Sequence, residues 1–99
     1  LSDKRSKTTT DSIEETRLFH SRYLRAINSP LRRKILRLLD ESPLTIDNLQ
    51  EKLNMNKLNL KWHLDILEHG FCIEKQGEKD NLVYVITQEG KVVNLLDQT

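Results

Sequence analysis

Ninety-nine residues, 36% hydrophobic and 31% charged, suit one small soluble domain whose thin core needs a contribution from nearly every amphipathic element. The longest apolar run, residues 82–86, is far too short to span a bilayer, and a single cysteine, Cys72, excludes an internal disulfide and a cysteine-rich zinc site. The net charge of +1 hides an asymmetry: residues 1–37 carry ten basic and four acidic side chains, residues 38–99 six basic and eleven acidic, which fits a basic arm meeting phosphates as well as it fits a solvated helix face.

Residues 1–10, LSDKRSKTTT, have nothing to bury and read as a flexible basic arm. They lack the apolar stretch of a signal peptide, so the expected location is the cytoplasm. Residues 11–99 form the expected domain. Its first helix is capped at Asp11 or Ser12, with Glu14 or Glu15 completing a capping box. Ile13, Leu18, Phe19, Tyr23, Leu24, Ala26 and Ile27 spread over more than one stripe, the pattern of a helix with two neighbours.

A second helix starts at Ser29 as N-cap with Pro30 in the first helical position, where its missing N–H is no loss. Leu31, Ile35, Leu38 and Leu39 are its expected buried face; Arg32, Arg33, Lys34 and Arg37 are expected to point outward. Past Pro43, Thr45 caps a short third helix with Ile46, Leu49 and Leu53 at i, i+3, i+7. Asn56 then caps a fourth helix, residues 57–69, which Gly70 ends as a left-handed residue. Beyond it the period changes to alternation. FCIEKQ and LVYVIT, separated by GEKDN, read as a β-hairpin, and Thr87 caps a last helix carrying Val92, Val93, Leu95 and Leu96, weakened at its start by Gly90.

Two short helices joined by a tight turn and followed by a hairpin make an α+β winged helix-turn-helix: a three-helix core, a two-stranded wing, and helices at both ends. In the fourth helix Leu60, Leu64 and Leu67 share the inward face. Leu58, Lys61, Trp62, Asp65 and His69 then point outward, with Lys57 and Asn59 on the flanks, and this face is free to enter a DNA major groove. Lys57 and Lys61 suit phosphates or guanine, Asn59 suits adenine, and Trp62 suits a sugar or a thymine methyl. Lys75 and Lys79 on the hairpin are expected on flanking phosphates, whereas Asp65 and Glu68 repel them. The bland alternative for Trp62 is a fold back over a neighbouring helix or a place in a dimer interface.

The segments SPLRRKILRLL, LTIDNLQEKLNMNKLNLKWHLDILEHGF and YVITQEGK resemble winged helix-turn-helix transcription regulators of the arsenic-repressor (ArsR) type, especially archaeal members, over about residues 29–91. The resemblance implies a homodimer, held by the first and last helices, that sets two recognition helices in successive major grooves. Phe19, Tyr23, Ile27, Val92 and Leu96 are the expected dimer surface. It stops at the metal site: metal sensors of the family carry paired cysteines in the third helix, where LTIDNL stands here, so soft-metal sensing of that kind is not expected. His63 reads as a packed, hydrogen-bonded side chain, and His69 with Cys72 lacks a third ligand. No cofactor is expected. Neither a phosphate-binding glycine loop nor a nucleophile elbow occurs, so the chain is not expected to be an enzyme. The rival to duplex-DNA binding is a winged helix used for protein contacts within transcription or replication machinery.

Overall fold

The computed structural model describes residues 13–97. The arm at residues 1–10 and the cap at Asp11 or Ser12 lie outside them. The described elements are α1 (Ile13–Ile27), α2 (Pro30–Glu41), α3 (Ile46–Leu53), α4 (Lys57–His69), β1 (Ile73–Gln76), β2 (Val83–Ile86) and α5 (Gln88–Asp97). Among the described residues no helix is long and apolar enough to cross a membrane.

Local capping chemistry fixes where most of these helices begin. Ser29 Oγ accepts from the Arg32 N–H at 3.3 Å. Thr45 and Asn48 form a reciprocal capping box, and Asn56 Oδ1 accepts from the N–H groups of Leu58 and Asn59. Thr87 Oγ1 accepts from the Gly90 N–H at 3.1 Å and donates to the Phe71 carbonyl. Each of the bonds accepted by a side-chain oxygen satisfies an N–H at the helix start that has no partner within its helix.

The core joins Ile35, Leu36 and Leu39 of α2 to Leu49 of α3, Leu60, Leu64, Ile66 and Leu67 of α4, Tyr84 and Ile86 of β2, and Val93 of α5. On α2 this differs from expectation. The buried stripe runs Arg32, Ile35, Leu36, Leu39, while Leu31 and Leu38 are only half-buried. The stripe is rotated because Arg32 goes inward: its guanidinium donates to the carbonyls of Ala26 and Arg25 at 3.0 and 2.9 Å, the open C-terminal end of α1. A cation there meets unpaired carbonyls and the negative end of the helix dipole. Arg33 does the same for Ile27 at 2.7 Å.

The end of α4 also differs from expectation. Gly70 is not left-handed (φ −91°); Phe71, one residue on, is (φ 68°). The Cys72 N–H reaches the Leu67 carbonyl and the Phe71 N–H the Glu68 carbonyl, the paired bonds of a Schellman ending with phenylalanine at the position glycine usually fills. Phe71 is held there by a ring stack on Phe19, 4.5 Å between centroids, and by the Arg22 guanidinium 4.6 Å from its ring centre. Gly70 answers a different need. A Cβ at this position would lie 2.5 Å from Ala26 Cβ and 2.8 Å from the Arg22 carbonyl oxygen, so glycine lets α4 lie close against α1.

β1 and β2 pair antiparallel with Ile73 opposite Ile86 and Gln76 opposite Val83. Only the base of the hairpin is packed: Ile73 is buried and the next three residues of β1 are exposed, so residues 74–82 project as a wing. Leu44, just before α3, exchanges two backbone hydrogen bonds with Tyr84. This short bridge ties the wing to the start of the helix-turn-helix, a contact between distant segments that no local pattern announces.

Candidate nucleic-acid interface

The α3–α4 pair leaves one arc of α4 uncovered. Leu60, Leu64 and Leu67 are fully buried, and Ile66 is buried beside the cleft that Arg22 and Arg25 of α1 also line. Lys57, Leu58, Asn59, Lys61, Trp62, Asp65 and His69 are exposed. Leu58 stands at 79% exposure and Trp62 at 54%.

Lys57, Lys61, Lys75 and Lys79 border one open cleft, closed on its other walls by Thr45 and Ile46 before and in α3 and by Leu82 and Tyr84 of the wing. The fold therefore brings the expected lysines of α4 and of the hairpin together. Acidic neighbours share the space: Lys57 Nζ lies 3.7 Å from Asp47, Lys61 Nζ 3.3 Å from Asp65, and Lys75 Nζ 3.5 Å from Glu68. The bond to Asp65 raises the pKa of Lys61 above its ordinary value. Exposed pairs of this kind are worth only about 0–1 kcal/mol, so a phosphate can displace the carboxylates at small cost.

Trp62 occupies the edge of this face and not its centre. Its ring meets His63 edge-on at 4.9 Å, the Arg32 guanidinium sits 6.0 Å from its centroid, and with Arg22, Arg25 and His69 it rims a shallow cleft beside α1. Half of the indole is thus packed, more than a purely outward side chain allows.

His63 is packed and hydrogen-bonded, as expected. Its Nδ1 accepts from Arg32 Nη1 at 2.9 Å, and burial together with the Arg32 charge holds its pKa below the ordinary 6.5. Arg32 is the residue that sequence reasoning missed; it is only 8% exposed and links α1, α2 and α4. Cys72 is fully buried beneath the wing, and burial pushes its thiol up to about 12, far from the thiolate a metal ligand needs. Among the described residues no three His, Cys, Asp or Glu side chains are grouped to hold a metal ion.

The surface expected to hold a dimer also needs correction. Phe19 is buried between Phe71 and Tyr23, and Tyr23 and Ile27 pack against the core. The large apolar side chains left exposed on α1 are Ile13, Leu18 and Leu24, and on α5 Val92, Leu95 and Leu96. Phe19 turns inward because the left-handed Phe71 presents its ring to it.

Residues 27–75 match a family described as a helix-turn-helix domain. No curated protein matches the chain by sequence. Among solved structures, the fold is similar to HlyU from Vibrio cholerae, with a TM-score of 0.71 and 22% identity over 87% of this chain and 96% of that one. It is also similar to the homodimeric winged helix-turn-helix DNA-binding domain of Mb0332 from Mycobacterium bovis, a possible ArsR-family transcriptional regulator, with a TM-score of 0.78 and 20% identity over 90% and 84% of the two chains. The transcriptional repressor BigR from Xylella fastidiosa aligns with a TM-score of 0.69 and 18% identity over 91% of each chain. The fold is a winged helix-turn-helix, as the sequence predicts.

Proposed function

We propose that this protein is a homodimeric transcription regulator of the ArsR type that binds duplex DNA in a sequence-specific way, with α4 in the major groove and the wing on flanking phosphates. One observation carries the reading: α4 buries Leu60, Leu64 and Leu67 completely and leaves hydrogen-bonding and cationic side chains on its opposite arc, beside a cleft shared with Lys75 and Lys79. A helix packed on one side and carrying cations and hydrogen-bonding groups on the other, at the second position of a helix-turn-helix, has the geometry of a groove reader. Asn59, Lys61 and Trp62 are its base-edge candidates, with Lys57, Leu58 and Asp65 lining the same arc. The structural neighbours, a homodimeric DNA-binding domain and a transcriptional repressor among them, support the same activity. With DNA as partner the working compartment is the cytoplasm, and the archaeal character rests on the motif residues alone. The cysteine-free α3 and the buried Cys72 point away from soft-metal sensing and from any bound cofactor, and nothing in the site calls for catalysis.

Selection of bound duplexes from a random pool tests the reading. A preferred sequence is expected, and on it Asn59→Ala or Lys61→Ala costs about 1–3 kcal/mol, with much less lost on random duplex. Lys79→Ala weakens all duplexes alike and lowers the salt slope by about one unit, the signature of one lost phosphate contact. Salt-independent binding, or no enrichment above the starting pool, overturns the proposal.

A further inference from the structure

We infer that α4 recognises thymine by its methyl group, through Leu58 and Trp62 placed side by side on its exposed face; the inference rests on the duplex binding proposed above. Leu58 is 79% exposed, more than any other large apolar side chain among the described residues. Trp62 follows one turn later. Side chains at i and i+4 are neighbours on a helix surface, so the two make a continuous apolar strip.

The fold packs only the inner half of Trp62 and leaves its outer half and Leu58 exposed. The inward face of α4 is filled by Leu60, Leu64 and Leu67, and Ile66 is buried as well. The cations of Lys57 and Lys61 stand beside the strip on the same two turns, a rim that favours a polyanion with apolar spots over a wholly apolar partner. The major groove of duplex DNA is such a surface. Its base edges are hydrogen-bonding groups except for one apolar feature, the thymine C5-methyl. A leucine pressed on a polar edge leaves that edge unpaired, whereas on a methyl both groups lose only water.

Spacing agrees. One helical turn rises about 5.4 Å and successive bases about 3.4 Å, so the strip spans two thymines one or two base steps apart. The inner side of the indole meets the His63 ring and the Arg32 guanidinium, and its outer half stays open to a ligand.

The test uses the full chain and its best selected duplex, with each thymine replaced in turn by deoxyuridine. This change deletes the methyl and keeps every hydrogen-bonding group. One or two replacements are expected to lower affinity about fourfold each, the factor that burial of one methyl-sized group is worth. Leu58→Ala should abolish the difference between thymine and uracil at one of these positions and Trp62→Ala at the other, with far-ultraviolet circular dichroism unchanged. Selective binding that is indifferent to uracil at every position overturns the inference and leaves DNA binding standing. An effect of uracil that persists in both variants also overturns it, since the methyl then acts through DNA shape. Failure to select any sequence overturns both.

Discussion

Arg32 shows how one side chain can hold three elements in register. Its guanidinium satisfies two carbonyls at the end of α1 and the Nδ1 atom of His63 on α4, all from α2. Replacement by alanine leaves these acceptors without their charged donor inside the fold, a loss of about 2–4 kcal/mol. Lysine should not rescue it, because one ammonium cannot form the planar fork that meets three acceptors. Urea unfolding of Arg32→Ala and Arg32→Lys checks both statements; a change below about 0.5 kcal/mol, the range of ordinary surface substitutions, would contradict them. The same contact makes stability depend on pH. His63 has a folded pKa lowered by burial and by Arg32, so as pH falls from the ordinary 6.5 the unfolded chain takes up the proton first. Stability is full above that value and is lost as pH falls through the window down to the lowered folded value. His63→Asn keeps an acceptor near the position of Nδ1 and removes the titration. Its denaturation midpoint between pH 8 and 5 should fall less than that of the parent; equal falls would show that other groups carry the dependence.

At the scale of elements, the sequence is legible where structure depends on close neighbours in the chain. Ser29, Thr45, Asn56 and Thr87 announce their helices because a cap is decided within three residues, and the switch from helical period to alternation at Phe71 announces the wing. What the sequence hides depends on contacts between distant segments. Arg32 reads as solvent-facing until α1's carbonyls are placed above it, and the Leu44–Tyr84 bridge exists only once the wing has folded back. Gly70 is the sharpest case, since a glycine after a helix suggests a left-handed turn and the actual need is steric. The packing of α1 on α4 sets that need: Gly70→Ala would drive a methyl into Ala26 and the Arg22 carbonyl. A loss of about 1–3 kcal/mol is expected from such overpacking. Ala26→Gly, which removes the methyl that the new Cβ strikes, should recover part of it in the double variant. If the two changes instead add independently, the clash is not what glycine avoids.

For the whole molecule, the unburied apolar surface lies mostly at the two ends of the chain. Ile13 and Leu24, about three turns apart, fall on one side of α1, next to half-buried Tyr23 and Ile27. On α5, Val92, Leu95 and Leu96 are exposed opposite buried Val93 and Asn94. The Tyr23 hydroxyl donates to the Glu89 carbonyl at 3.4 Å, which ties the C-terminal half of α1 to the first turn of α5, and the exposed apolar side chains of both helices suit a partner. A domain this small rarely leaves so much large apolar surface to water without one, and a two-fold pairing of identical patches is the commonest solution. Sedimentation is therefore expected to give a dimer at about tens of micromolar, a concentration at which a weak but specific dimer with micromolar affinity is formed. Leu24→Glu with Leu95→Glu places charges on both exposed surfaces without touching the core. The variant should sediment as a folded monomer with the parent's helical circular dichroism, and should bind an isolated half-site as the parent does while losing most of its affinity for two half-sites one helical turn apart. A parent that sediments as a monomer, or a charged variant that remains dimeric, would remove α1 and α5 from the interface and with it the proposed placing of two copies of α4 in successive grooves.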